Sequence, residues 1–339
     1  MNLKFSHIVP NISIFFLGAI LVLSFSPFNN YFILPFIVAI FFWLIKKKNL
    51  PLKESLLFGL GFFTFGIYWI YICLQKFGGM PPLWALLSTF CLCLFLSLFF
   101  LSFSFFPRFK SKPLFFASTF TLVEWIRSFI FTGFPWLTLG YSQVESSPLA
   151  GYIPITGIYG VSFLLILTAH LIFQLFTKID KKLWTLVLII AIWTGGYLLK
   201  KIEWTEPNGE PIRVSLIQGN VKQDDKWDQN KVKKILKKYE ELIEKNNSPL
   251  IVLPETSMPI LLQSMPLDYL LKIENHLQSI NGNLILGVIE KEDGKIFNSA
   301  ISLGISESQN YRKHHLVPFG EYVPLRSIFG LLTNTSKNF

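Results

Sequence analysis

Long apolar runs fill residues 1–201 and then stop. They recur at roughly 12–28, 31–45, 56–74, 83–106, 114–131, 152–176 and 183–199. A helix needs about 20 apolar residues to cross the hydrocarbon core of a bilayer, and somewhat shorter ones are tolerated. The last five runs therefore read as spans. The first two are short and broken at Ser26-Pro27-Phe28-Asn29-Asn30, which reads as a helical hairpin. The expectation is about seven membrane helices. No small-residue cleavage site follows the first run and further spans do, so it reads as a retained span and not a signal peptide.

The pattern changes after residue 201. Ile212 to Gln218, Leu250 to Leu253, Leu284 to Ile289 and Asn298 to Leu303 are short apolar runs that read as strands. Between them lie two stripes at helical spacing. Asp228 reads as a candidate cap for the first, in which Val232, Ile235, Leu236, Tyr239, Leu242 and Ile243 share one face. The second places Leu270, Ile273, Leu277 and Ile280 on one face and stops at Gly282. The order β-α-β-α-β-β predicts a layered α/β domain over residues 202–339, following a membrane region over residues 1–201.

Composition and charge sharpen this division. The chain is 51% hydrophobic and only 15% charged, too apolar for a soluble protein of 339 residues. Residues 1–201 hold 15 Lys/Arg against 4 Asp/Glu, and residues 202–339 hold 16 against 17. The excess positive charge thus sits in loops between apolar runs, where it sets topology. A nucleic-acid binder would carry it on the soluble part. Lys4, then Lys46 to Lys48 and Lys53, then Arg108, Lys110 and Lys112, then Lys178, Lys181 and Lys182 lie on one side. The opposite connections (29–30, 76–81 and 132–150) carry only Lys76. Positive loops stay inside, so the amino terminus is expected in the cytoplasm and residues 202–339 outside it. Lys200 and Lys201 oppose this orientation mildly.

Polar residues inside the apolar region are few. Glu124 and Arg127 lie three apart on one helix face and can neutralise each other. They read either as a structural ion pair or as a polar lining for a lipid headgroup cavity. His170 reads as a hydrogen-bonded packing residue. Thr132 to Gln143 (TGFPWLTLGYSQ) reads as an interfacial or re-entrant segment, with Trp136 at headgroup level. Cys73, Cys91 and Cys93 all lie in apolar runs. Cys91 and Cys93 would point roughly 200° apart on a helix, so the three read as packing residues, and no metal site or disulfide framework is expected.

The chemistry concentrates in two strings. In LPET (Leu253 to Thr256) a carboxylate, Glu255, follows an apolar strand. Active residues of α/β domains tend to sit just past strand ends, and burial there would raise the pKa of Glu255 and make it a useful base. In YRKHHLVPFGEYVP (Tyr311 to Pro324) Lys313 precedes two histidines, a Pro-Phe-Gly turn and Glu321. An ammonium aimed at the same cleft would stabilise an oxyanion. Taken singly these residues are ordinary: a Pro-Glu is usually a cap or an ion-pair partner, and a loop lysine is usually solvated. Lys226-Trp227-Asp228 reads as a surface turn, and the lysines from Lys231 to Lys238 as a solvated helix face.

Together these features resemble the nitrilase superfamily, and within it the bacterial apolipoprotein N-acyltransferases. The resemblance rests on the apolar spans, on TGFPWLTLGYSQ, on QGN at 218–220 with KWD at 226–228, on LPETSMP at 253–259 and on YRKHHLVPFGEYVPL at 311–325. It implies an α-β-β-α sandwich tied to a multi-span membrane region of a bacterial inner membrane, with a Glu-Lys-Cys triad and no cofactor. The family's base falls on Glu255 and its lysine on Lys313. An accessory glutamate falls on Glu321 and an active-site-loop tryptophan on Trp227. The family's cysteine lies some tens of residues beyond the PFGE string, before a last span. The chain stops 18 residues after Glu321. The resemblance therefore implies an incomplete sandwich, two of three catalytic groups, seven of eight spans and an inactive copy.

For an intact member the implied reaction moves an acyl chain from a phospholipid to a cysteine thiolate, and then to the N-terminal amine of a diacylglyceryl-modified apolipoprotein. Three other readings compete. One is a different membrane-tethered nitrilase-type amidase, and another is a catalytically silent lipid-binding membrane protein. The third, a seven-span transporter, is disfavoured because no broken helices or paired polar residues repeat across two halves.

Overall fold

The computed structural model describes residues 5–177 and 182–317. Chain contacts divide the protein into two compact units, residues 1–206 and 207–339.

The first unit is helical. Helix α1 (Phe5–Ile20) runs into a 3₁₀ turn at Leu21–Ser24, followed by α2 (Ile33–Ile45) and α3 (Leu52–Gly66). Next, α4 (Trp69–Ile72) leads into a wide π-turn at Cys73–Phe77. Helix α5 (Pro82–Phe99) continues through a 3₁₀ stretch into α6 (Phe106–Phe109), and α7 (Pro113–Arg127) follows. Three 3₁₀ turns then precede α8 (Ile153–Phe176) and α9 (Lys182–Leu199). Pro82 and Pro113 open their helices, where a missing N–H costs nothing.

Among the described residues three helices are long and apolar enough to cross a membrane: Pro82–Phe109, Pro148–Phe176 and Lys182–Leu199. A fourth arises if Leu52–Gly66 and Trp69–Phe77, bent by 49°, act as one. The remaining apolar runs make helices of 16, 13 and 15 residues. Local backbone explains the shortening. The chain turns at Ser26-Pro27, and past Arg127 residues Phe131 and Thr132 adopt positive φ and end the helical path.

Phenylalanine fills the core of this unit. Phe41 stacks on Phe58 at 4.2 Å and Phe42 on Phe106 at 4.0 Å, with Phe103 and Phe116 packed between them. His170 is fully buried among Phe42, Phe106, Phe116 and Phe173, and its Nε2 sits 2.9 Å from the Lys110 carbonyl.

Glu124 and Arg127 are both buried, 3.8 Å apart. Arg127 donates to the carbonyls of Phe134 (3.0 Å) and Trp136 (2.7 Å) and to Thr138 Oγ1 (3.3 Å). Glu124 Oε1 accepts from the Leu139 N–H at 2.8 Å. Together they satisfy irregular backbone that would otherwise lack partners in an apolar surrounding. This is the structural half of the sequence reading: the pair fastens the turn from Phe134 to Leu139, with Trp136 half-exposed against Trp69.

The second unit holds one five-stranded sheet in the order β1 (Val214–Leu216), β2 (Leu250–Val252), β3 (Asn283–Glu292), β4 (Lys295–Gly304), β5 (Asn310–Arg312). The first three strands are parallel and the last two antiparallel to their neighbours. After the short α10 (Gln223–Lys226) come α11 (Val232–Glu244) and α12 (Leu267–Ser279). Their apolar stripes, Val232, Ile235, Leu236, Tyr239 and Ile243 with Tyr269, Ile273 and Leu277, cover one sheet face built from Ile251, Leu284, Leu286, Val288 and Ile301. On the other face Val214, Leu216 and Ile285 are exposed.

Strands β3 and β4 pair over ten residues each and turn at Asp293-Gly294. Both turn residues take positive φ (49° and 75°), the mirror-image turn that matches strand twist, which an Asp-Gly pair adopts readily. The sequence reading captured the centres of these strands but missed both the hairpin's full length and β5.

Candidate active site

Two chain segments meet at the exposed sheet face. Glu255 lies just past β2, on a loop drawn over β3. The loop's first residue donates from Leu253 N to the Ile285 carbonyl (2.8 Å). Its far side is tied by Ser257 Oγ (3.1 Å) and Met258 N (3.3 Å), both donating to the Gly287 carbonyl. Lys226 donates to the Glu255 carbonyl at 3.1 Å. Thr256 sits in the left-handed region at φ 49°.

Gly287 makes this approach possible. A Cβ there would lie 2.4 Å from Thr256 N, 2.6 Å from Pro254 O and 2.8 Å from Glu255 Cα. All three atoms are backbone, so no side chain can rotate away. Gly287→Ala is expected to lift the loop, separate Glu255 from its partners and cost about 1–3 kcal/mol. Faster amide exchange at Met258, together with a lower unfolding midpoint, checks this.

Lys313 follows β5 directly. Its N–H donates to the Asn298 carbonyl on β4 at 2.9 Å. Strand β5 itself is fixed from the helix-covered face. There the buried Glu290 carboxylate accepts from Asn310 Nδ2 (2.7 Å), Ser299 Oγ (2.9 Å) and Arg312 Nε (3.0 Å). Arg312 also pairs with Glu292 and lies over the Phe297 ring at 4.3 Å. Burial pushes the Glu290 carboxyl upward, but the donors from Asn310, Arg312 and Ser299 outweigh it and hold the group below the usual carboxylate range.

Lys313 Nζ then stands 3.4 Å from Glu255 Oε1, and Asn298 Nδ2 donates to the same oxygen. A pocket of about 320 Å³ opens here, lined by Leu253, Glu255, Ile285, Asn298, Tyr311 and Lys313 among others. The two residues that the sequence brought forward from separate strings thus converge. One expectation is corrected: Glu255 is not buried. Its side chain is 65% exposed, against 31% for Lys313, because the loop lies on the sheet face that the helices do not cover.

Trp227, 43% exposed, follows Lys226 and so belongs to the loop that touches the Glu255 backbone. Burial pushes the Lys226 ammonium below its ordinary value, and the nearby Glu255 charge works against that shift. Glu321 lies outside the described residues. Cys73, Cys91 and Cys93 are free thiols of the first unit. Among the described residues no group of three or more His, Cys, Asp or Glu side chains is placed to hold a metal ion.

Sequence reasoning missed Asn298, Glu290 and Lys226. The available signal was a polar residue inside an apolar strand run: Asn298 and Ser299 interrupt the stretch from Ile296 to Leu303.

Comparison with known proteins bears on both units. Residues 17–171 match a family profile described as the apolipoprotein N-acyltransferase N-terminal domain, and residues 213–333 match one described as carbon-nitrogen hydrolase. A Nitrosomonas europaea protein named apolipoprotein N-acyltransferase is 40% identical over 331 residues, covering 94% of this chain and 66% of the relative. Proteins of the same name from Coxiella burnetii and Haemophilus ducreyi are 38% and 34% identical, with 93% and 98% of this chain and 67% and 70% of the relative covered. The chain spans about two thirds of the length of these relatives.

Proposed function

The chain belongs to the apolipoprotein N-acyltransferase family, and from that premise we propose that it carries the base and the ammonium of a phospholipid-to-lipoprotein acyl transfer. Glu255 is the general base and Lys313 the oxyanion-stabilising cation. Glu321 and Trp227 are accessory. The acyl donor is a membrane phospholipid, and the acceptor is the free N-terminal amine of a diacylglyceryl-cysteine apolipoprotein. The setting is a bacterial inner membrane, with the amino terminus cytoplasmic and the second unit on the opposite side.

A thiol with pKa ~8.5 is mostly protonated at neutral pH. Glu255 takes that proton as sulfur attacks the ester carbonyl. Lys313 offsets the charge on the tetrahedral oxygen. The carbon–oxygen ester bond breaks, the departing lysophospholipid oxygen receives the proton, and a thioester remains. The acceptor amine then attacks the thioester and gives a proton to Glu255, the carbon–sulfur bond breaks, the departing sulfur takes that proton back as a thiol, and an amide forms. Residues 207–339 hold no cysteine. Cys73, Cys91 and Cys93 lie in apolar runs and read as packing residues, so we infer that none of them is the nucleophile and that the thioester step needs a cysteine from outside residues 1–339.

What supports the reading most directly is the 3.4 Å approach of Lys313 to Glu255, from segments 58 residues apart, at the mouth of a pocket. The test is an extended chain in which residue 339 continues into the carboxyl-terminal third of the Nitrosomonas europaea relative, reconstituted with a labelled phospholipid and a diacylglyceryl-cysteine peptide. Labelled amide is expected, with a hydroxylamine-sensitive label on the protein as intermediate. A folded, bilayer-inserted extended chain that yields neither product would contradict the assignment.

A further inference from the structure

The site contains a residue that serves both partners at once. Asn298 lies on β4, and its backbone carbonyl accepts the Lys313 N–H at 2.9 Å. Its side-chain amide donates to Glu255 Oε1, the oxygen that Lys313 Nζ approaches at 3.4 Å. One residue therefore sets where the lysine's main chain leaves β5 and which way the carboxylate turns. This matters because Glu255 is on a loop and is 65% exposed. An exposed carboxylate on a flexible stem rotates freely unless something other than burial restrains it.

The neighbouring register strengthens the arrangement. Ser299 pairs with Arg312 across β4 and β5. Both bind the buried Glu290 carboxylate on the helix-covered face. Side chains alternate along a strand, so the residues next to them, Asn298 and Lys313, point to the opposite face, where Glu255 waits. The Glu290 cluster fixes the strand pair from below, and Asn298 transmits that fixed geometry to the loop above.

We infer that Asn298 is a positioning residue, holding the Glu255 carboxylate in the orientation that engages Lys313. This rests on the proposed pairing of Glu255 with Lys313. Its chemistry is that of a neutral donor: it orders one carboxylate oxygen without adding charge and leaves the second free to accept a proton. Among the described residues the other titratable side chain lining the pocket is Tyr311, which contacts His314; Lys226 donates to the Glu255 carbonyl and interacts with its charge, while Arg312 lies on the far face.

The test is the acetylation rate of Lys313 in the 339-residue chain in nanodiscs, followed by mass spectrometry at fixed pH and normalised to a solvated lysine such as Lys245. Only the neutral amine reacts, and losing a nearby carboxylate enlarges that fraction. Glu255→Gln is expected to raise the rate about threefold or more. Asn298→Ala is expected to raise it by a similar factor, but to add nothing in a chain already carrying Glu255→Gln. Asn298→Asp, isosteric and negatively charged, is expected to slow the reaction.

If Asn298→Ala leaves the rate unchanged, or raises it equally with and without Glu255, the residue acts only on access or packing and the inference is wrong. If Glu255→Gln itself has no effect, the pairing fails, and the positioning role falls with it. The backbone bond from Lys313 survives every variant, so amide exchange at Lys313 reports folding. Should Asn298→Ala not fold, Asn298→Asp decides alone: an unchanged or faster rate overturns the inference.

Discussion

Replacing Glu255 with glutamine in the extended chain is expected to lower acyl transfer by about 10³-fold or more, the range general-base loss commonly reaches. The introduced carboxamide keeps the shape and still accepts from Asn298, but it takes no proton from a thiol. Lys313→Ala is expected to cost about as much, because it removes the cation proposed to offset the developing oxyanion. Both effects should fall on kcat with little change in KM, since neither group is expected to hold the lipid in its ground state. The double variant should be scarcely worse than either single one, because the two act as a unit 3.4 Å apart. Single-turnover formation of the hydroxylamine-sensitive intermediate is the measurement. Normal formation in either variant would remove these residues from the mechanism.

The second large effect is on stability. Glu290→Ala leaves Arg312, Asn310 and Ser299 without their shared acceptor. Breaking a buried hydrogen-bonded pair costs several kcal/mol, but Arg312 is about a third exposed and recovers some hydration. The expected loss is about 2–4 kcal/mol, read as earlier denaturant unfolding of the second unit and faster exchange in β5. The pH dependence has a definite sign. The folded-state pKa of Glu290 lies below its unfolded value, so the contribution is complete above that unfolded value, about 4.3. It fades as pH falls through the folded one. The gap between wild type and Glu290→Ala should therefore narrow on acidification; a gap that widens would contradict the assignment.

Much of the architecture was legible because it rests on periodicity. The stripe from Val232 to Ile243 repeats at helical spacing, and the residues it names are those that meet the sheet. What escaped has no local signal. Strand β5 is three residues long, two of them polar, and exists because β4 offers it an edge and Glu290 holds its side chains. A sequence window sees Asn310–Arg312 only as loop. The strings singled out Glu255 and Lys313, and the fold brings their side chains to 3.4 Å, but exposure of the carboxylate was not legible, because burial depends on what covers a sheet face. Helix lengths in the first unit were overestimated where apolar runs continue through bends. The Phe129-to-Phe131 stretch is as apolar as the helix before it, yet the backbone has already turned.

The β3–β4 hairpin also dictates an order of assembly. Its ten rungs join neighbours in the chain across a two-residue turn, and such hairpins zip within microseconds, whereas ribosomes add about 5–20 residues per second. Gly287 and Asn298 thus belong to a pairing that can form once residue 304 clears the exit tunnel, and the strands and helices that stabilise it already precede it in the chain. Lys313 is the late arrival, translated only after its future neighbours have had time to find one another.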